Sequence, residues 1–221
     1  MSTTAIIGFG VSCQTAYQIR RHTRNEQAFF FDWLITENID AIDLIVNGFD
    51  ANLFLPETCR VVDKGLRVLD PWSGLKFQHD FPTAEGSIAS DFISARQSVK
   101  DKYLFLRDRT LKAMNSEFPV FIRYEWPSSA HNTDPISACA RFRAAISRNS
   151  DQRALYVLAS ESIPESRACE NMLVCKLRPF QGPESNRWKG DDASWDDLFS
   201  FVRHQIPLEL SSTSALLSED R

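Results

Sequence analysis

Residues 4–22 alternate between two hydrophobic rhythms within a short span. Thr4-Ala-Ile-Ile is small or β-branched and predicts a short buried strand. Gly8 and Gly10 interrupt it, and from Ser12 onward Ala16, Ile19 and Tyr17 recur at helical spacing before Arg20-Arg-His22. The pattern is strand, glycine turn, helix. Further along, apolar runs centred near positions 121, 156 and 174 predict three more short buried strands: Pro119–Trp126, Arg153–Ser160 and Asn171–Leu177. Ala28-Phe-Phe-Phe-Asp-Trp33 is an aromatic run suited to a strand or a strand-like turn. Helical periodicity marks residues 39–46, about 86–115, 136–148 and 195–205, with Asp134 and Pro135 as the start signal of the third of these. Residues 60–79 read as a hairpin around Lys64-Gly65, followed by the Asp70-Pro-Trp-Ser-Gly74 turn. Residues 49–55 read as irregular, and the Ser211-Ser-Thr-Ser tail as frayed.

Short apolar strands separated by helices predict a largely parallel sheet covered by helices on both faces. The expected fold class is therefore a three-layer α/β domain over residues 1–210, with an antiparallel insertion at 56–82 and a tail at 211–221. In such sheets ligands bind beyond the C-terminal ends of the strands. Residues 8–13, Asp32 and Arg123 could meet there.

Composition narrows the function. The chain of 221 residues is 43% hydrophobic and 24% charged, which suits a globular protein with a real core. A net charge of −4 carries no footprint of nucleic-acid binding. No apolar run reaches the length of a membrane span, and the first residues lack the pattern of a secretory signal, so the expected location is the cytoplasm. Five scattered cysteines without a Cys-x-x-Cys pair suggest neither a disulfide framework nor a zinc ribbon. No metal or cofactor is expected, and the oligomeric state is left open.

Candidate chemistry centres on Cys13. With Ser12 as N-cap, Cys13 would be the first helical residue, where free amides and the helix dipole favour a thiolate. A buried, inert thiol is the competing reading. Among the four histidines, His79 follows a strand-like stretch and could serve as base. His22 and His204 lie near helix ends, and His131 lies in a polar loop. Asp80 or Asp32 could orient the imidazole, although aspartates often cap turns instead. Arg123 at the end of a buried strand could hold a substrate carboxylate or phosphate, or pair internally with Glu125 or Asp32. Gly10 and Ser12 would border the substrate.

Gly8-Phe-Gly-Val-Ser-Cys13, Ala16-Tyr-Gln-Ile-Arg20, Phe31-Asp-Trp33, His79-Asp-Phe81 and Phe121-Ile-Arg123 together resemble a bacterial family described as putative papain-like cysteine peptidases, over roughly residues 4–125. The resemblance implies Cys13 as nucleophile, His79 as base and Asp80 or Asp32 as third member, acting on a small-molecule or peptide substrate of acyl type. Two features depart from papain. No glutamine precedes Cys13, and the C-terminal half alternates strands with helices where papain has an antiparallel barrel-like half. The same glycines also permit a second reading, a degenerate G-x-G-x-x-G with Asp32 about twenty residues on, as in a nucleotide- or sugar-nucleotide-binding domain or transferase. A non-catalytic binding module is the third.

Overall fold

Central strands buried along their whole length and amphipathic helices between them build the fold described by the computed structural model. It describes residues 4–48, 52–55, 57–127, 134–146 and 153–206. In chain order the elements are β1 (Ile6–Gly8), α1 (Gln14–Thr23), β2 (Leu34–Ile35), α2 (Asp40–Asn47), β3 (Arg60–Val62) and β4 (Arg67–Asp70). There follow β5 (Leu75–Phe77), β6 (Thr83–Ala84), β7 (Ser87–Ile88), α3 (Arg96–Met114), β8 (Val120–Tyr124) and α4 (Pro135–Ile146). The described chain closes with β9 (Leu155–Ser160), β10 (Arg167–Cys169), β11 (Met172–Lys176) and α5 (Asp192–Gln205).

The main sheet has the order β1-β8-β9-β11-β10, with β1, β8, β9 and β11 parallel and β10 antiparallel at the edge. The four strands expected near positions 5, 121, 156 and 174 are its parallel members. Their side chains alternate between two cores. Val120, Ile122, Leu155, Val157, Leu173 and Cys175 pack with Trp195, Leu198, Phe199 and Val202 of α5. Phe121, Tyr156, Leu158 and Val174 face the other way, toward Cys139 and Phe142 of α4. The sheet is thus covered on both faces, and the expected α/β layering holds.

A second sheet, wholly antiparallel, runs β2-β5-β4-β3, and β6 and β7 form a separate hairpin. The antiparallel insertion is therefore wider than residues 56–82. It recruits β2 from the aromatic run's downstream end and continues to Ile88. Phe54, Phe77, Phe81 and Tyr103 of α3 pack together behind it, in one core with Phe9, Phe30 and Phe31.

Of the two expectations for the aromatic run, the turn is the one found: residues 30–33 turn, with the Asp32 carboxylate accepting the Phe29 amide at 3.0 Å and Trp33 at a left-handed φ of 65°. Two local expectations need correction. The long helix begins at Arg96, since residues 83–88 form a hairpin and Phe92–Ala95 a 3₁₀ turn. Cys13 is the residue flanking α1 rather than its first member, and Ser12 Oγ accepts the Gln14 amide at a long 3.4 Å. Other expectations hold: Asp134 caps α4 through the Ser137 amide, and Lys64 and Gly65 turn with φ of 58° and 91°. His131, residues 49–51 and the tail at 211–221 lie outside the described residues.

Candidate active site

The site begins where β1 runs out. Past Gly8 the chain still follows β8, with the Phe9 amide on Ile122 O and the Val11 amide on Tyr124 O. It then turns into α1, whose first internal bond runs from the Tyr17 amide to Cys13 O at 3.0 Å. The amides of residues 14–16 consequently have no partner within the helix. Gly10 is required by packing. A Cβ there would lie 2.1 Å from Thr15 Oγ1 and 2.8 Å from Thr15 Cβ. Helix and turn are locked together immediately beside the thiol.

His79 arrives from the other sheet, two residues beyond β5. The structure places its Nε2 3.6 Å from Cys13 Sγ, across 66 residues of chain. Cys13 is half-buried and the imidazole is exposed. Burial pushes the Cys13 thiol up from its ordinary value. Its own amide N–H and the Arg67 guanidinium pull it down, while Asp80 and Asp32 push it further up. On balance the thiol stands above its ordinary value.

Neither candidate carboxylate bonds the His79 ring among the described residues. Asp80 is turned inward, its side chain 2% exposed, and is held by Lys102 Nζ and by the Tyr103 hydroxyl at 2.9 Å. Asp32 is buried against the Phe29 amide, and loss of hydration raises its pKa to about 6. What His79 does touch is Trp33, edge to face, with ring centroids 6.4 Å apart. The pair brought together is Cys13 and His79, with Asp80 adjacent in sequence and Asp32 beneath the β1 turn.

Arg123 is placed as an internal clamp, not as a cation facing a substrate. It is 1% exposed. Its Nε pairs with Glu125 at 2.9 Å, and its two terminal nitrogens reach Phe9 O at 2.9 Å and Thr36 O at 3.2 Å. A guanidinium so deep in the protein must be paired, and a fork can satisfy a carboxylate and two backbone carbonyls together. The internal pairing with Glu125 is the alternative the structure displays.

The remaining histidines have local roles. His22 stacks on Phe199 at 4.0 Å, and burial together with Arg21 depresses its pKa to about 4. His204 Nδ1 lies 2.7 Å from Ser200 O in its own helix. All five cysteines are free, with Cys139 and Cys175 buried and Cys169 exposed. No trio of potential metal ligands occurs among the described residues. No helix among them is long and apolar enough to cross a membrane.

Sequence reasoning passed over the surroundings of the pair. Trp33 and Trp188 stand with ring centroids 6.4 Å apart, and Trp188 lies edge-on to Tyr17 at 5.2 Å. Tyr17, four residues after Cys13, carried the one readable signal, because such positions share a helix face. Trp188 sits in a 3₁₀ segment, Glu184–Lys189, without any periodicity to reveal it.

The fold is mixed α/β with a mostly parallel sheet, and at the end of β1 a thiol lies opposite an imidazole. The model of the family described as putative papain-like cysteine peptidase matches residues 4–149, and the chain belongs to that family. The match spans both members of the pair. Neither the comparison with curated proteins nor that with solved structures found a match.

Proposed function

We propose that the chain is a cysteine-dependent hydrolase in which Cys13 is the nucleophile and His79 the base. The observation that carries this reading is the 3.6 Å approach of Sγ and Nε2 from two different sheets. Because burial holds the thiol protonated, the proton passes from Sγ to Nε2 as sulfur attacks an acyl carbon. The C–S bond forms, the carbonyl π pair moves onto oxygen, and the amides at the start of α1 receive that oxyanion. His79 then returns the proton to the departing amine or alcohol as its bond to carbon breaks. Water, deprotonated by His79, cleaves the thioester and regenerates the thiol. Ser12 and Gly10 border the acyl group in this reading. In this reading Asp80, next to His79 in the chain, or Asp32 is the third member.

The nucleotide-binding alternative draws no support from this geometry. The glycine that would admit a pyrophosphate is filled by Thr15, and the acidic residue that would bind a ribose is buried on Phe29 N.

The test is competitive alkylation by iodoacetamide at neutral pH, read by peptide mass spectrometry, with exposed Cys169 as the internal standard. Because His79 takes the proton as sulfur attacks, Cys13 should react more slowly in His79→Ala than in the wild type, with Cys169 reacting equally in both. Equal reaction of Cys13 in the two proteins would make it a packing residue.

A further inference from the structure

Beside the pair lies a strip of rings that the catalytic reading does not use. Trp33, Trp188 and Tyr17 form a continuous row of rings that starts at His79. Trp188 remains 42% exposed beside the pair. Two cations stand over the row. Lys189 Nζ is 5.5 Å from the Tyr17 ring and 5.6 Å from that of Trp188, and the Arg20 guanidinium is 5.0 Å from the Trp33 ring. Lys189 has no carboxylate partner among the described residues, whereas Arg20 has only Glu26 at 3.6 Å. Trp33 also holds a left-handed φ of 65°, a conformation that costs a bulky residue energy and recurs at functional sites. Trp188 and Lys189 fall outside the residues that the family model matches.

We propose that this strip recognises the substrate through an aromatic ring accompanied by a free carboxylate, the ring lying on Trp188 and Trp33 and the carboxylate meeting Lys189. The inference rests on the hydrolase reading for its meaning, since the strip would then select what reaches Cys13. Rings prefer to meet other rings edge-on or offset, and an ammonium already held over indole is a ready partner for an anion. Tyr17 lies one helical turn beyond Cys13 on the same face of α1, and Lys189 stands over its ring, which sets the cation on the thiol's side of the helix. The fitting substrate is a short peptide-like acyl compound with its anionic end near the cut.

The experiment measures binding in Cys13→Ala, where no acyl-enzyme forms, by intrinsic tryptophan fluorescence. The probes are N-acetylphenylalanylglycine as free acid, its C-terminal amide, and N-acetylalanylglycine as free acid. The aromatic acid should bind about tenfold more tightly than either of the others. Lys189→Met should erase the difference between acid and amide while keeping that between phenylalanyl and alanyl. Trp188→Ala should do the reverse, with Trp188→Phe intermediate. Equal affinities for the three probes, or no binding of any, would overturn the proposal. Since turnover is not read, loss of the hydrolase reading would appear separately, in the alkylation of Cys13.

Discussion

The two sheets contribute to one site in different ways. The five-stranded sheet is buried on both faces, and it ends in a turn whose backbone is fixed by hydrogen bonds to β8 and by Gly10 against Thr15. It presents Cys13 on a rigid mount. The four-stranded sheet is shorter and more open: β3 is largely exposed and His79 sits on the surface just beyond β5. A nucleophile benefits from a fixed position, and a base that must receive and return a proton benefits from access to water. The contact between the two residues therefore depends on what holds the sheets together. Arg123 does this by joining Phe9 O, before the thiol turn, to Thr36 O, just after β2. Tyr103 does it from the other side, packing on Phe30 and Phe77 while its hydroxyl holds Asp80.

The largest effect should follow from breaking that junction. Arg123→Met leaves Glu125 without its partner and two buried carbonyls without donors, and should lower stability by about 3–5 kcal/mol in urea unfolding. Arg123→Lys should recover only part of this, because one ammonium cannot reproduce the fork. Equal stability of Arg123→Met and wild type would show that the aromatic core alone holds the sheets.

Next comes Asp32. Its pKa is raised from 3.8 to about 6, chiefly by burial, so its stabilising contribution is complete below about pH 4 and is lost as pH rises through about 6. That rise corresponds to about 3 kcal/mol. Asp32→Asn should remove this dependence and equal or exceed the wild type at pH 8. His22 acts in the opposite sense: its pKa is depressed, so its contribution, present above about 6.5, fades as pH falls through about 4. Comparing Asp32→Asn with wild type across this range isolates the aspartate. A constant difference between the two would contradict its buried, titrating state.

Gly10→Ala should cost about 1–3 kcal/mol, because the new methyl meets Thr15 at distances no side chain tolerates. It should also slow Cys13 alkylation by moving the turn. Unchanged stability would mean that the mount is softer than described. The smallest change is Tyr103→Phe, which removes one hydrogen bond to Asp80 and should cost about 1 kcal/mol. If it also alters the pH dependence of Cys13 alkylation, Asp80 participates in orienting His79.

The same contrast governs what could be read from the chain. The parallel sheet was legible because β1, β8, β9 and β11 are continuous apolar runs, and each run is a local signal. The thiol and the imidazole were legible as a pair because few other residues of their chemistry stand beside turns. The antiparallel sheet was only partly legible: Lys64-Gly65 announced its hairpin, but nothing near Leu34 announced pairing with Phe77. Residues 28–33 look strand-like because three phenylalanines must be buried. Whether they form a strand or a turn was decided by one hydrogen bond from Phe29 to Asp32. Arg123 could be recognised as a cation needing a partner, yet its carbonyl partners lie 87 and 114 residues away in the chain. Trp188 meets Tyr17 only through tertiary packing, which no local pattern encodes.

One measurement goes to the heart of the two-sheet site: acetylation of Cys13 by p-nitrophenyl acetate at neutral pH, followed by nitrophenolate release and intact mass. The wild type should release one equivalent in a burst and carry one acetyl group on Cys13. His79→Ala should do so about a hundredfold or more slowly, and Cys13→Ala not at all. A burst of the same rate in His79→Ala, or an acetyl group on another residue, would contradict a nucleophile and base assembled from the two sheets.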